Sequence, residues 1–241
     1  MHTTTATSTS TPDDAAAEDL RTWLALWRAK RDVFTLTDVN PNLVRYAADT
    51  VLAPPADGAD AAVLVPLCGR TADLAWLAGR DAIVVGVEAV AEPLRLWAAD
   101  NGGLEPVAEA ERLTSYRSRW WPALNFVHGD IFDVHADLFG DLRFTGIWDR
   151  AALTALPPAF RASYAAHLRS LAAPQCRLLL EVLATDAAGV PGAMAAADAV
   201  RLLTAAGWRN VQVLHTASVR DQYPDFPAPG PLDEVLLAAE A

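Results

Sequence analysis

The sequence predicts an α/β fold in which helices flank a mostly parallel sheet and one closing strand runs antiparallel. Apolar runs of strand length recur at residues 63–67, 83–87, 125–128, 144–148 and 177–183. Segments with helical periodicity separate most of these runs, as right-handed βαβ units require. Several runs also end in a charged residue, which is typical of strands that reach a ligand-binding crevice.

Composition and charge place the chain among globular proteins. Hydrophobic residues make up 52% and charged residues 20%, and no apolar run reaches the roughly 20 residues of a membrane span. The formal net charge is -11, whereas nucleic acids and anionic membranes attract basic patches. We therefore expect neither as a partner. Two cysteines are too few for a disulfide framework, so we expect a reducing, cytoplasmic location.

Several common catalytic arrangements are missing from the sequence. The five histidines and two cysteines have no HxxxH or CxxC spacing, so no metal site is predicted. There is no GxSxG elbow and no GxxxxGK[ST] loop, which argues against hydrolase and phosphoryl-transfer chemistry.

The N-terminal region is expected to form a helical arm on a single domain that spans residues 15–241. Residues 1–14 are rich in Thr, Ser and Ala and are predicted to be a disordered tail. A second helix should begin with Asn40 as its cap and Pro41 in its first position. We expect the arm, residues 15–55, to act as a lid over the strand ends. Its first helix is indicated by apolar residues at helical spacing: Leu20, Trp23, Leu24 and Trp27.

The stretch 61–88 reads as a strand, a tight turn, a short helix and a second strand. Glu88 closes the second strand, where its carboxylate could accept hydrogen bonds from both hydroxyls of a ribose. Capping of the following helix is the alternative. The turn contains one glycine, Gly69, and lacks the GxGxxG that a pyrophosphate requires. A nucleoside-type ligand without phosphates is therefore favoured over a dinucleotide.

Two further strand ends carry candidate binding residues. Asp130 and Ile131 follow the third strand, and an acid beside an apolar side chain suits an adenine. An Asx turn explains Asp130 equally well. Asp149 and Arg150 follow the fourth strand, and Arg150 could bind a ligand carboxylate with its planar guanidinium. Its alternative is a structural ion pair with Asp149 or Glu88.

The remaining segments complete the alternating pattern. Residues 104–122 are interpreted as an irregular, solvated hairpin. A long helix is predicted over 153–172, with Pro157-Pro158 marking its start or a kink. The strand at 177–183 is read as apolar throughout its middle. After a helix at 195–206, strands at 211–214 and 233–237 should pair antiparallel across a proline-rich loop.

Four motifs together resemble the thiopurine S-methyltransferase family. They are Pro66-Leu67-Cys68-Gly69-Arg70, the strand end Gly86-Val87-Glu88, Gly129-Asp130-Ile131-Phe132, and Trp148-Asp149-Arg150-Ala151-Ala152-Leu153 followed by Arg161 and Tyr164. The aromatic spacing of Trp23, Trp27 and Phe34 extends the resemblance upstream. It implies a class I methyltransferase (Rossmann-like) fold with S-adenosyl-L-methionine as the methyl donor. A GPPF motif typical of the family is absent around residues 189–192.

The resemblance also implies which residues bind. Phe34 would lie near the acceptor substrate, and Asp149 and Arg150 are the candidates for a catalytic role. Gly69 belongs to the turn beneath the methionine part of the donor. The donor would be contacted by Trp23, Trp27, Leu67, Glu88, Asp130, Ile131 and Arg150.

We expect a small-molecule acceptor, with sulfur or a related chalcogen (Se, Te) as the accepting atom. A thiol with a pKa near 8.5 is partly ionised at working pH, whereas a phenol near 10 needs a proton acceptor. No histidine lies in a motif that makes it a base, although Asp149, His135 and Asp225 remain candidates. O-methylation of an aromatic natural product is the alternative. Rival classes are a nicotinamide-dependent oxidoreductase and a non-catalytic nucleoside-binding protein.

Overall fold

The computed structural model describes residues 12–29, 35–55, 58, 60–187, 192–223 and 230–241, with the backbone alone for 12–19. Within these residues, nine strands form one sheet in the order β3-β4-β5-β2-β1-β6-β7-β9-β8. The strands are β1 (Ala62–Val65), β2 (Ile83–Glu88), β3 (Leu104–Glu109), β4 (Thr114–Ser118), β5 (Leu124–His128), β6 (Phe144–Arg150), β7 (Ala172–Ala184), β8 (Arg209–Ser218) and β9 (Asp233–Glu240).

The five central strands are parallel, and the strands outside them are antiparallel. Parallel pairing joins β5, β2, β1, β6 and β7. The strand order reverses between β1 and β6, which in open α/β sheets marks the position of the ligand crevice. β9 pairs antiparallel with both β7 and β8, which confirms the predicted antiparallel closing strands.

Helices cover both faces of the sheet. The helices are α1 (Pro12–Arg28), α2 (Pro41–Tyr46), α3 (Asp73–Ala78), α4 (Ala91–Asp100), α5 (Ala152–Ala155), α6 (Pro158–Leu171) and α7 (Ala196–Ala205). All four residues of β1 are buried, because Ala62 and Leu64 face one hydrophobic cluster and Val63 and Val65 face the other. This explains why β1 reads as a continuous apolar run and not as an alternating one.

Three predicted segments differ in detail from the structure. α1 begins at Pro12, so residues 12–14 of the predicted tail belong to this helix, and residues 1–11 lie outside the described residues. The predicted helix 153–172 is divided at Pro157, and the longer part starts at Pro158. Residues 104–118 do form a hairpin, but β4 pairs with β5 and so extends the main sheet.

The arm is anchored to the domain at the start of α2. The Asn40 side chain accepts hydrogen bonds from the backbone N–H groups of Asn42 (2.8 Å) and Leu43 (3.2 Å), and Pro41 occupies the first turn, as predicted. The Asn40 backbone N–H donates to the Asp73 carboxylate at 2.8 Å. α1 itself lies against α4. Among the described helices, none combines the length and apolar character needed to cross a membrane.

Candidate active site

A cavity of about 780 Å³ lies at the carboxyl ends of the parallel strands. Its lining comes from α1, from the turn after β1, from the ends of β2, β5 and β6, and from the segment that joins β6 to α6. The cavity therefore occupies the position that the strand reversal predicts. Eight residues predicted from the sequence line it: Trp23, Trp27, Leu67, Gly69, Glu88, Asp130, Ile131 and Arg150.

The turn after β1 is tight and is fastened to the end of β2. Leu67 and Gly69 both have positive φ, at 45° and 55°, which for a leucine is a strained conformation. The Cys68 N–H donates to the Val87 carbonyl at 2.9 Å. A Cβ at Gly86 would lie 2.9 Å from the Cys68 sulfur, so this strand position has no room for a side chain. The turn is therefore packed closely on the end of β2, and its residues Leu67, Cys68 and Gly69 line the cavity.

The Glu88 side chain both supports the backbone around it and faces the cavity. Its carboxylate accepts the Gly69 N–H and the Val90 N–H, each at 2.8 Å, and so holds both the turn and the approach to α4. The side chain is 7% exposed and lines the cavity. Burial raises the pKa of Glu88 to about 7, and the hydrogen bonds from the backbone N–H groups of Val90 and Gly69 partly oppose this rise.

Asp130 and Ile131 lie where β5 ends. The Asp130 carboxylate accepts the Phe132 N–H at 3.0 Å, so the predicted Asx turn is present. This bond uses one of its two oxygens, and the residue is exposed to the cavity. Ile131 is buried and supplies an apolar wall beside it. The acid and the apolar wall are therefore adjacent, as the adenine interpretation requires.

Asp149 and Arg150 occupy different environments although they are neighbours in the chain. Asp149 is fully buried; it accepts the Ala152 N–H at 2.8 Å and the Tyr164 hydroxyl at 2.8 Å. Burial raises the pKa of Asp149 to about 6. Asp149 is not part of the cavity lining, whereas Arg150 is. This geometry favours a structural role for Asp149 over the catalytic one considered from the sequence.

Arg150 forms an ion pair with Glu181, a residue that none of the sequence motifs includes. The Arg150 Nε lies 3.3 Å from Glu181 Oε1, and the side chains are 18% and 3% exposed. Glu181 interrupts the strand that was read as apolar throughout its middle, so that reading was wrong. A single carboxylate within an apolar run of a strand indicates a buried polar site, because a buried carboxylate requires a partner.

The helical arm closes one side of the cavity. Trp23 and Trp27 are half-buried and both line it. The Trp27 ring passes over the turn, so that a Cβ at Gly69 would lie 3.4 Å from ring carbon Cζ2. Phe34, predicted to lie near the acceptor, is outside the described residues. The tryptophans therefore lie at the cavity surface and not in the domain core.

Other lining residues were missed from the sequence. Asp73 is buried, and its carboxylate accepts the Trp148 indole N–H at 2.8 Å. Arg112, interpreted as part of a solvated hairpin, lines the cavity and pairs with Asp133 at 3.0 Å. The apolar part of the lining comes from residues without a motif, namely Leu156, Pro157, Phe160 and Leu183.

Comparison with known proteins identifies the class of enzyme. The model of the thiopurine S-methyltransferase family matches residues 18–233. The chain belongs to this family. The thiopurine S-methyltransferase of one Pseudomonas fluorescens strain is 38% identical over 200 residues, which cover 82% of this chain and 86% of that protein. That of Xanthomonas campestris is 36% identical over 214 residues, covering 86% and 91%.

A solved structure shows the same fold. The Burkholderia thailandensis 1,6-didemethyltoxoflavin-N1-methyltransferase, crystallised with S-adenosylhomocysteine, has a TM-score of 0.67 at 20% identity, with 98% of this chain and 92% of that chain covered. This thiopurine S-methyltransferase family member is thus a class I, S-adenosyl-L-methionine-dependent methyltransferase of small molecules. Methyl transfer replaces the nicotinamide-dependent and the non-catalytic alternatives.

Proposed function

We propose that this enzyme methylates a small thiol, or a related chalcogen acceptor, by a mechanism that uses no side chain as a general base. The ends of β1, β2 and β5 would hold the donor. The acceptor would bind on the opposite, β6–β7 side of the cavity, already ionised.

The donor side is formed by the ends of β1, β2 and β5. Glu88 would bind the ribose hydroxyls, Asp130 and Ile131 would bind the adenine, and the Leu67–Gly69 turn would lie beneath the methionine part. Support comes from the residues that line one continuous cavity: a buried carboxylate, an acid beside an apolar wall and a tight turn. Arg150 would bind the donor carboxylate. Trp23 and Trp27 would cover the sulfonium with aromatic faces.

The observation that carries the acceptor assignment lies on the β6–β7 side. Here the cavity is lined mainly by small and apolar residues, among them Leu156, Pro157, Phe160 and Leu183. Of the described lining residues that β6, β7 and residues 151–160 contribute, Arg150 is the one with an ionisable side chain; the other elements bring one imidazole and four carboxylates to the cavity, those of His128, Asp73, Glu88, Asp130 and Asp133. His135 is not part of the lining, and Asp225 is outside the described residues. An acceptor that binds on this side should therefore lose its proton before it binds.

Methyl transfer from a sulfonium needs alignment more than acid–base chemistry. The donor supplies a methyl group that leaves its sulfur with the bonding electrons staying behind, and the acceptor sulfur forms the new bond in line. The protein then contributes by positioning both reactants and excluding water. A thiol releases its proton to solvent on the way to the thiolate.

O-methylation of an aromatic natural product is the second candidate. It is favoured by one observation: the family's GPPF motif is absent at residues 189–192, next to the cavity wall at Gly192. A different acceptor-side wall is compatible with a different acceptor. For the location we propose the cytoplasm, since both cysteines are free.

Matched thiol and phenol pairs test the proposal. Aryl thiols and the phenols with identical substituents should be incubated with S-adenosyl-L-methionine, and the products identified by mass spectrometry. We expect methylation of the thiols with a kcat/KM at least about 100-fold above that of the phenols, because the described acceptor side offers no base for the weaker acid. Preferential turnover of the phenols would refute the chalcogen assignment and support the second candidate.

A further inference from the structure

A network of buried polar side chains lies behind Arg150. Glu181, at its centre, is 2% exposed, and its carboxylate accepts hydrogen bonds from Asn40 Nδ2 (2.9 and 3.0 Å) and Asn42 Nδ2 (3.0 Å). Arg150 Nε adds the charged contact at 3.3 Å. A buried carboxylate is unfavourable unless it is paired in this way, so the network is a costly feature to maintain for packing alone.

A second carboxylate, Glu234, joins this network from β9. Leu183 is opposite Glu234 in the β7–β9 ladder, and Glu181 is two residues before Leu183, so both carboxylates lie on the same face of the sheet. Asn42 Nδ2 donates to Glu234 at 2.7 Å and to Glu181 at 3.0 Å, and so bridges them. A cavity of about 10 Å³, enough for one water molecule, is lined by Arg150, Glu181 and Glu234 together with Leu183.

The network also connects the two structures that enclose the donor. Arg150 lines the large cavity from β6. Asn40 fixes the residue at which the arm joins the domain, and it donates through its backbone to Asp73, which lines the cavity as well. Glu181 accordingly contacts both the cation in the wall and the anchor of the arm.

We propose that Glu181 is a positioning residue, which aims Arg150 at the carboxylate of the methyl donor, and that the protonation state of Glu234 sets how strongly Arg150 attracts that carboxylate. The inference depends on the proposed placement of Arg150 at the donor carboxylate and not on the identity of the acceptor. Glu181 holds Arg150 through Nε, and Arg150 at the same time lines the large cavity. With Glu234 protonated, one negative charge faces Arg150; with Glu234 ionised, two do.

The direction of the pH dependence follows from the neighbours of Glu234. Burial raises the pKa of Glu234 to about 7. The charge of Glu181 on β7 and a hydrogen bond between the two carboxyl groups add to this rise, whereas Arg150 on β6 and the Asn42 hydrogen bond oppose it. On the other sides, α2 contributes the uncharged amide of Asn42 and β8 places Ala217 opposite. As the pH rises through 7, Glu234 ionises and competes with the donor carboxylate for Arg150. Binding of that carboxylate should therefore weaken.

Two ligands that differ in the carboxylate test the inference by calorimetry. S-Adenosylhomocysteine has the amino-acid end, whereas 5′-methylthioadenosine lacks it but keeps the adenosine. We expect Glu181→Gln to weaken S-adenosylhomocysteine roughly five- to tenfold and to leave 5′-methylthioadenosine unchanged. Equal weakening of both ligands would show a merely structural role and would overturn the inference.

The pH dependence is measured as the ratio of the two dissociation constants. Because both ligands contain the ribose, any effect of Glu88 ionisation on binding cancels in this ratio. In the unmodified enzyme the ratio of the S-adenosylhomocysteine constant to the 5′-methylthioadenosine constant should rise about threefold or more between pH 6 and 8. Glu234→Gln keeps the acceptor for Asn42 and should make this ratio independent of pH. A ratio that keeps its pH dependence in Glu234→Gln contradicts the role of Glu234.

A double-mutant comparison separates this inference from the proposed function. In an Arg150→Ala background, Glu181→Gln should have no further effect on S-adenosylhomocysteine binding, because its action runs through Arg150. If Arg150→Ala itself leaves S-adenosylhomocysteine unaffected, Arg150 does not hold the donor carboxylate, and the inference fails while methyl transfer to thiols can still stand. Failure of thiol turnover with the expected binding pattern would refute only the acceptor class.

Discussion

Replacement of Glu88 by alanine should weaken adenosine binding strongly. Two ribose hydroxyls donating to one carboxylate contribute about 1.5 kcal/mol each at the lower end of charge-assisted hydrogen bonds. The sum of about 3 kcal/mol corresponds to a loss of affinity of roughly 100-fold. The suitable ligand is 5′-methylthioadenosine at pH 8, where Glu88, with its pKa of about 7, is mostly ionised. Titration calorimetry measures the change directly.

The same substitution also removes a structural support, and the design has to separate the two effects. Glu88 accepts the Gly69 and Val90 N–H groups at 2.8 Å, so Glu88→Ala leaves both donors without this acceptor and can loosen the turn. The 2′-deoxy form of the ligand lacks one of the two hydroxyls. If Glu88 binds the ribose, the loss caused by the substitution should shrink by about tenfold with the deoxy ligand. An equal loss with both ligands would refute ribose binding and leave only the support of the turn.

Three further predictions concern the arm, the buried acid and stability. Removal of residues 1–11 should leave turnover of an accepted thiol intact. Removal of residues 1–33 should abolish it, because this deletion also removes Trp23 and Trp27, which line the cavity. Retained turnover in the longer deletion would disprove the role of the arm as a lid. Tyr164→Phe should lower the free energy of unfolding by about 1–3 kcal/mol, because the Asp149 carboxylate loses a hydroxyl donor at 2.8 Å. The kcat should stay nearly unchanged. A lower kcat with unchanged stability in urea would instead support a catalytic role for Asp149. Without added ligand, the protein should become less stable to urea as the pH rises from 5 to 8. Burial raises the pKa of Glu88 and of Glu234 to about 7 and that of Asp149 to about 6, so the folded state holds protons that the unfolded state releases. Replacing both Glu88 and Glu234 by Gln should flatten the upper part of this decline.

The elements with strong local signals were predictable from the sequence. The continuous apolar run of β1, the cap at Asn40 followed by Pro41, and the acid at the end of β2 each depend on neighbouring residues alone, and the structure has all three. The strand ends were also sufficient to bring Glu88, Asp130 and Arg150 to one cavity, because the carboxyl ends of parallel strands meet at one edge of a sheet.

The rest depended on contacts that no local pattern contains. Glu181 is 139 residues from Asn42 in the chain and Glu234 is 192, so the network behind Arg150 exists only through the pairing of β7 with β6 and β9. The same holds for Trp148, whose indole N–H reaches Asp73 across 75 residues. The role of Asp149 could not be decided from its motif, since the motif does not reveal that the buried carboxylate accepts the Tyr164 hydroxyl.

The central claim, methyl transfer to a thiol without a base from the protein, is tested most directly by the pH dependence of kcat/KM for the acceptor. The measurement uses a series of aryl thiols of graded acidity at saturating S-adenosyl-L-methionine, so that ionisations that affect donor binding alone do not contribute. We predict that the inflection of each profile moves with the pKa of the thiol used. One fixed inflection for all thiols in the series would reveal a protein group that takes the proton and would contradict the claim.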